Sequence, residues 1–181
     1  MCSKTPPTTH AQSIFAAMQT LDGPGFSRRW SVEVEGASLA VYGAGAALEE
    51  AHAVVLLLHG AGSCAHTWAV LVDELVYAAA QTHGVLLDDM AAVAYDMRGH
   101  GESTGDAGDC ALETLTADLA AVACGLGAAR VFLVGHSLGG AVAAHAAANG
   151  LVALAGLVVV DASEQAAAAG IPHMRAFLES A

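Results

Sequence analysis

Hydrophobic residues follow two alternating patterns along most of this chain. Continuous apolar runs, typical of short strands in a parallel sheet, occupy residues 53–58, 92–95, 131–134 and 156–160. Between and after these runs, apolar residues return every three or four positions, which predicts helices. The helical stretches cover residues 68–80, 112–126, 141–148 and 164–179, and Gly127 is the expected stop of the second one.

An antiparallel hairpin precedes this repeat. Residues 30–35 and 38–42 alternate apolar and polar positions around Glu35-Gly36-Ala37. A hairpin followed by strand–helix repeats predicts an α/β fold with a mostly parallel sheet and helices on both faces. We expect one domain over residues 28–181, and a disordered leader over residues 1–27, where the apolar stretch of a secretory signal is missing.

Composition narrows the classes of function. The chain has 181 residues and a net charge of −12, from 6 basic and 18 acidic side chains, which disfavours nucleic acid and anionic membrane as partners. No apolar run approaches the roughly 18 residues of a membrane span. The four cysteines, at positions 2, 64, 110 and 124, lack metal or redox spacing. We therefore expect reduced thiols, no metal or other cofactor, and a cytoplasmic or nuclear location.

A candidate nucleophile follows the apolar run at 131–134. Gly135-His136-Ser137-Leu138-Gly139 is a G-x-S-x-G sequence, and a predicted helix comes after it. Strand, sharp turn and helix in this order form the nucleophile elbow of an α/β-hydrolase, which holds a serine hydroxyl clear of the sheet. This context favours Ser137 as a catalytic nucleophile over the alternative, an ordinary glycine-rich turn.

Acyl transfer also requires donors for the developing oxyanion. One should be the backbone N–H of Leu138, and the second should come from the loop after residues 53–58, where Ala61 is the best candidate. The small residues of His59-Gly60-Ala61-Gly62 let the backbone approach a substrate closely. A plain strand-to-helix turn is the alternative for this loop.

Asp161 is the candidate acid of a catalytic triad. It follows the run at 156–160, 24 residues after Ser137, and a carboxylate at such a strand end can orient a histidine. Asp161-Ala162-Ser163-Glu164 also resembles a helix capping box, so a capping role is the alternative. Both roles are compatible with one another.

The catalytic base is harder to place. In this fold the histidine follows the acid along the chain, and His173 is the only histidine after Asp161. His173 falls in or beside a predicted helix, and a further crossover and strand would need roughly 30 residues. We therefore expect the base to come from residues that this chain does not contain.

Two further segments are expected to be structural. In the turn Asp96-Met97-Arg98-Gly99-His100-Gly101, Arg98 should either pair with Asp96 or lock the adjacent loops. Trp68 follows the candidate oxyanion loop and is expected to pack in the helix rather than to form a substrate wall.

These motifs together resemble the protein phosphatase methylesterase family, from about Trp30 to the C-terminus. The segments that carry the resemblance are residues 56–62 with 67–70, the turn at 96–102, the elbow at 135–141 continuing to His145, and the strand that ends at Asp161. The chain departs from the family pattern at Ala61 and Gln165, where glycines are usual. The part of the family with the catalytic histidine, the lid and the last strands is absent.

The resemblance implies an α/β-hydrolase fold without its C-terminal strands and a serine esterase without a cofactor. The implied reaction removes the methyl ester from the C-terminal leucine of the protein phosphatase 2A catalytic subunit, which would be the partner. Carried over by position, Ser137 is the nucleophile and Asp161 the triad acid. The resemblance assigns no substrate-binding residues.

Two other functions stay open. The first is a general esterase, thioesterase or acyltransferase on the same fold, because a fold does not fix a substrate. The second is an inactive protein that binds the phosphatase without demethylating it, because the base is missing.

Overall fold

The computed structural model describes residues 18–81, 89–128 and 130–162. Within these ranges seven strands form one sheet: β1 Gln19–Thr20, β2 Arg28–Val34, β3 Ala37–Gly45, β4 Ala53–Leu58, β5 Met90–Tyr95, β6 Val131–His136 and β7 Leu154–Val160. The helices of the same ranges are a 3₁₀ turn at Ala65–Trp68, α1 Ala69–Gln81, α2 Leu112–Leu126 and α3 Leu138–Ala148.

The strand order places the predicted site at one edge of the sheet. The order is β1-β2-β3-β5-β4-β6-β7. The first three strands pair antiparallel, and β3 also runs antiparallel to β5. From β5 through β4 and β6 to β7 every pairing is parallel. The carboxyl ends of these four strands therefore lie along the same edge, and the predicted α/β class is confirmed.

Alternate residues of the strands face two hydrophobic clusters, because successive side chains of a strand point to opposite faces. Leu57 belongs to the cluster that includes Val72 of α1, and its neighbours Leu56 and Leu58 belong to the cluster under α2 and α3. All three leucines are fully buried. The central strand β4 is thus covered on both faces, as its continuous apolar sequence predicts.

Several predicted elements match the structure in their bounds. The strand at 53–58 and the helix at 112–126 agree at both ends, and the hairpin is present as β2 and β3. Gly127 ends α2 in the left-handed conformation with φ 64°, which explains why the helix stops there. The helix predicted at 164–179 lies outside the described residues. No helix of the described ranges is both long and apolar enough to cross a membrane.

The boundary of the predicted leader needs correction. Residues 18–27, which the sequence predicts to be part of a disordered leader, belong to the fold. β1 pairs with β2, and Phe26 is buried against Tyr42, with ring centroids 5.7 Å apart. The burial of Phe26 depends on a partner elsewhere in the chain, which the local pattern around it does not reveal. Residues 1–17 lie outside the described ranges.

Candidate active site

Ser137 occupies a sharp bend between β6 and α3. Its backbone has φ 51° and ψ −115°, a combination that non-glycine residues rarely adopt. Its N–H donates to the Val160 carbonyl at the end of β7, at 3.0 Å. The bend therefore lies at the carboxyl edge of the sheet, fixed to the neighbouring strand, in the strand–turn–helix geometry that the sequence predicts.

Three glycines let α3 cross the strand ends at this bend. A Cβ on Gly135 would collide with the Gly139 carbonyl oxygen, and a Cβ on Gly139 would lie 2.5 Å from the Leu58 carbonyl oxygen. A Cβ on Gly140 would lie 2.8 Å from the Cβ of Ala162. Two of the three obstacles are backbone atoms of packed elements, which cannot move aside easily. The close approach of helix to sheet therefore requires these glycines.

The loop after β4 touches the bend. A Cβ on Gly60 would lie 2.8 Å from His136 Nδ1 and 3.3 Å from Ser137 Cβ. The Gly60 carbonyl accepts the Ser63 N–H at 3.2 Å, and Gly62 has φ +70°, as expected for the third residue of a type II turn. The small residues thus bring this loop against the serine.

Ala61 fits this turn without strain. The non-glycine residues with positive φ in the described ranges are Ser137 and Asp161, so Ala61 has the negative φ that the second position of the turn requires. Its replacement of the glycine usual in the resembling family therefore costs no backbone strain. Ala61 is exposed to solvent, as a group that meets a substrate should be.

Leu138 is the first residue of α3, so its N–H has no acceptor inside the helix. The next amide, that of Gly139, donates to the His59 carbonyl at 3.2 Å, which joins the start of α3 to the end of β4. The loop after β4 and the serine bend therefore meet at Gly60 and Ser137. The two candidate oxyanion donors, Ala61 and Leu138, are the residues that come next in each segment.

His59 is fully buried and joins two strand ends. Its Nδ1 donates to the Gly60 carbonyl at 2.7 Å, and its Nε2 accepts the Met97 N–H at 2.9 Å. Burial lowers the pKa of His59, and the nearby His100 acts in the same direction. Because both ring nitrogens of His59 are engaged in hydrogen bonds within the protein, His59 cannot serve as the catalytic base. No local pattern in the sequence predicts this role of His59.

Asp96 is a second buried anchor of the same loops. Its Oδ1 accepts the Ala65 N–H at 2.7 Å, and its Oδ2 accepts the Glu102 N–H at 2.8 Å and the Tyr42 hydroxyl at 3.3 Å. Burial raises the pKa of Tyr42 to about 12, and the charge of Asp96 adds to this. The sequence signal for this role was an aspartate directly after a buried strand. In the structure Gly101 leaves room for its carboxylate, which a Cβ at position 101 would contact.

Arg98 locks neighbouring loops and does not pair with Asp96. Its Nε and Nη2 donate to the two carboxylate oxygens of Asp118 in α2, both at 2.7 Å. Its remaining contacts are Asp109, at 3.2 Å, and the Glu35 carbonyl, at 3.2 Å. The hydrogen bonds to Asp118 raise the pKa of Arg98 further. Of the two structural roles expected for Arg98, the locking of loops is the one observed.

Asp161 comes directly after β7 and beside the serine. The register of β6 and β7 pairs His136 with Val160, so Ser137 and Asp161 each follow one member of that pair. Asp161 is exposed and has φ 48°. Its possible helix-capping role involves residues 163 and 164, which lie outside the described ranges.

Three of the described histidines have other partners. His100 Nδ1 lies 3.0 Å from the Arg98 carbonyl, His145 Nδ1 lies 3.2 Å from Thr116 Oγ1, and His66 packs edge-on against Tyr42. Across residues 18–81, 89–128 and 130–162, no hydrogen bond or ion pair joins a histidine to Asp161. His83 and His173 fall in undescribed segments.

Trp68 is half-buried and packs against the cluster on the α1 face, in agreement with its predicted packing role. In the part of the chain that the structure describes, no cluster of three or more histidine, cysteine or acidic side chains could hold a metal ion.

Known proteins resemble the chain in sequence and in structure. It is 36% identical to mouse protein phosphatase methylesterase 1 over 130 residues, which cover 69% of this chain and 31% of the relative. The same enzyme of Schizosaccharomyces pombe is 34% identical over 134 residues, or 70% of this chain and 37% of the relative. The chain therefore spans about a third of the length of these curated relatives.

A solved structure and a family model agree with this similarity. Epoxide hydrolase A from Mycobacterium thermoresistibile superposes with a TM-score of 0.59 at 28% identity, covering 72% of this chain and 38% of that one. The model of the alpha/beta hydrolase family matches residues 55–181, which is more than half of the chain and includes most of β4 and the serine bend. The chain therefore belongs to the alpha/beta hydrolase family.

Proposed function

We propose that this protein is a serine carboxylesterase in which Ser137 is the nucleophile. The observation that carries the proposal is the strained bend at Ser137, held at the carboxyl edge of the sheet with Gly60 against it. Strain of this kind persists only where the surrounding structure imposes it, and it concentrates at functional sites. A buried glycine-rich turn without a catalytic role would not need a serine in this conformation.

The reaction follows the two-step chemistry of an activated serine. Ser137 Oγ attacks the ester carbonyl, its proton passes to a histidine, and the carbonyl oxygen takes the negative charge between the N–H groups of Ala61 and Leu138. The histidine then protonates the leaving alcohol, and water resolves the acyl-enzyme by the reverse sequence. Asp161 orients the histidine, which we place outside the described residues.

For the substrate we propose a methyl ester on the C-terminal carboxylate of a protein phosphatase, with the protein phosphatase 2A catalytic subunit as the partner. The support is the similarity to two enzymes named protein phosphatase methylesterase 1. Cleavage would release methanol and a free carboxylate. A cytoplasmic or nuclear location and a mechanism without a cofactor follow from the same proposal.

Labelling with a fluorophosphonate tests the nucleophile. We expect an adduct on Ser137 and its loss in Ser137→Ala. In a protein that also carries the histidine, Asp161→Asn should label more slowly than the parent at an unchanged melting temperature. Immunoblotting of methylated phosphatase tails then tests the substrate: the methylated signal should fall with the protein that carries the histidine and persist with its Ser137→Ala variant. An adduct with no loss of tail methylation would favour a general esterase or thioesterase.

An inactive phosphatase-binding protein is the second candidate, because no described histidine contacts Asp161. In that case a folded chain would bind the phosphatase, measured by co-precipitation with purified components, and would show no phosphonate adduct on Ser137.

A further inference from the structure

The peptide group between Gly60 and Ala61 connects the candidate oxyanion donor to the interior of the protein. In a planar trans peptide the C=O and the following N–H point in opposite directions. The described part of the chain contains no cis peptide bond. Whatever holds the Gly60 carbonyl therefore fixes the direction of the Ala61 N–H.

Two donors hold that carbonyl. The Ser63 N–H approaches it at 3.2 Å within the turn, and His59 Nδ1 approaches it at 2.7 Å from the buried side. The shorter of the two bonds comes from a side chain that is 0% exposed, so water does not compete for it. The side-chain bond is therefore the firmer of the two constraints.

The hydrogen bond at the other ring nitrogen of His59 determines which tautomer the ring adopts. The Met97 N–H donates to Nε2 at 2.9 Å, so Nε2 must carry a lone pair and the ring proton must be on Nδ1. The other neutral tautomer would leave Nδ1 without a proton to donate. The cation would set an Nε2–H against the Met97 N–H. One of the three states satisfies both contacts.

The surroundings of the ring are consistent with that state. The His100 ring lies 5.2 Å from the His59 ring and disfavours a positive charge on His59. The buried carboxylate of Asp96 acts in the opposite direction, but it accepts hydrogen bonds from three other donors, and burial is the largest influence on the pKa of His59. No described acidic group forms an ion pair with His59.

We infer that His59 is a positioning residue: its Nδ1–H holds the Gly60 carbonyl so that the Ala61 N–H is aimed at the oxyanion formed on Ser137. The hydrogen bond from the Met97 N–H to His59 Nε2, which joins the ends of β4 and β5, fixes the tautomer that can make this contact. The inference rests on the proposed function, since the direction of the Ala61 N–H matters only if Ser137 reacts.

Two substitutions separate positioning from packing. In His59→Asn the amide nitrogen replaces Nδ1 and can still donate to Gly60, whereas in His59→Gln the amide reaches the Nε2 position and can accept from Met97 instead. Both remove the ring and keep one of its two hydrogen bonds. A merely structural role would affect both variants alike, and melting temperatures of the two provide that control.

Phenylboronic acid is the probe, because its tetrahedral adduct with a serine carries the negative charge that the oxyanion donors stabilise. We expect binding to the parent chain that Ser137→Ala abolishes, affinity within about threefold of the parent in His59→Asn, and a loss of about tenfold or more in His59→Gln. Equal affinity of His59→Gln and the parent would overturn the inference and leave the proposed function standing. A parent chain that binds no boronate would overturn the proposed function itself.

Nitrogen NMR of the His59 ring supplies a test that needs neither substitution nor activity. We expect the neutral Nδ1–H tautomer at pH 7 in the parent chain. An Nε2–H tautomer or a protonated ring would overturn the inference even if the variants fail to fold.

Discussion

Ser137 and Asp161 both have a positive φ, 51° and 48°, which residues other than glycine rarely adopt. Each residue ends a strand, and the two strands are neighbours in the sheet. Backbone in such sparsely populated regions costs on the order of 1–3 kcal/mol per residue, so the rest of the fold must hold both in place. At Ser137 the bond to Val160 and the glycine contacts of α3 do so.

The first prediction concerns the glycine contacts. Gly139→Ala places a Cβ 2.5 Å from the Leu58 carbonyl and 2.6 Å from the His59 carbonyl. Relief requires α3 to move away from β4, so we expect a loss of about 1–3 kcal/mol of unfolding free energy together with loss of phosphonate labelling at Ser137. Urea denaturation and labelling rates measure the two effects.

Gly23→Ala is the matched control. Gly23 has no heavy atom within 4 Å of a built Cβ, so its substitution should change stability by less than about 0.5 kcal/mol. A Gly139→Ala protein as stable and as reactive as the control would show that α3 does not lock the bend.

The second prediction follows from the buried neutral His59. Burial lowers its pKa in the folded protein, whereas in the unfolded chain the pKa is about 6.5. At a pH between these two values, the His59 ring binds a proton in the unfolded chain and not in the folded one. Stability from this group is therefore complete above about pH 6.5 and is lost as the pH falls below it. We expect the free energy of unfolding to fall less steeply on acidification in His59→Asn than in the parent.

His100 and Asp96 lie near His59 and are present in both proteins. The test therefore compares the pH dependence of the parent with that of His59→Asn. Urea denaturation at intervals from pH 8 to pH 5 measures both curves. Parallel curves for the parent and His59→Asn would contradict the prediction.

The local geometry of the candidate site was predictable where it depends on neighbours in sequence. The serine and its glycines form one contiguous motif, and its strand–turn–helix geometry appears as expected. His59 and Asp96 were missed because their partners Met97 and Ala65 lie 38 and 31 residues away. Only the folded sheet brings those groups together.

At the scale of elements, Arg98 joins the loop after β5 to α2. Its side chain is 6% exposed and that of Asp118 is 4% exposed, and two parallel hydrogen bonds connect them. Since a buried charge without a partner is costly, the pair constrains both elements at once. Arg98 thereby holds the segment that also supplies Met97 to His59 and Asp96 to Ala65.

The third prediction is that removal of either partner is far more damaging than removal of both. Arg98→Met or Asp118→Leu alone leaves an unpaired buried charge and should cost about 3–5 kcal/mol. The double variant should be more stable than either single variant. A double-mutant cycle in urea measures the coupling.

Arg29 and Glu102 provide the contrasting pair for this cycle. They lie 2.8 Å apart, but the Glu102 side chain is 61% exposed, so Glu102→Ala should cost less than about 1 kcal/mol. Additive losses in the Arg98 and Asp118 cycle would show that the buried pair does not couple the loop to the helix.

Element bounds were predictable where sequence and burial agree. β4 is apolar throughout because both its faces are covered. α2 ends at Gly127, in a left-handed conformation that glycine adopts more readily than other residues. Strand order was not predictable, because the placement of β5 between β3 and β4 depends on crossovers that no local pattern encodes. The same reason hid β1, whose two residues carry no strand pattern.

At the scale of the molecule, the sheet is protected unevenly. β1 lies at one side and β7 at the other in the described residues. β7 carries a continuous apolar sequence like that of β4, yet Leu157, Val158, Val159 and Val160 are each between 39% and 53% exposed. An exposed apolar edge strand offers unpaired backbone groups to other chains. The serine bend is fixed to this same strand through Val160.

The fourth prediction is therefore that the 181-residue chain self-associates through β7. Val158 is 53% exposed, and Val158→Lys should reduce association because a charge on an edge strand opposes edge-to-edge pairing. Val70→Lys is the control, since Val70 is 77% exposed but lies on α1, away from the edge. Light scattering of the three proteins at equal concentration measures the effect. Because the net charge of −12 already opposes association, a monomeric parent with a cooperative melt at high temperature would show that this repulsion outweighs the exposed edge.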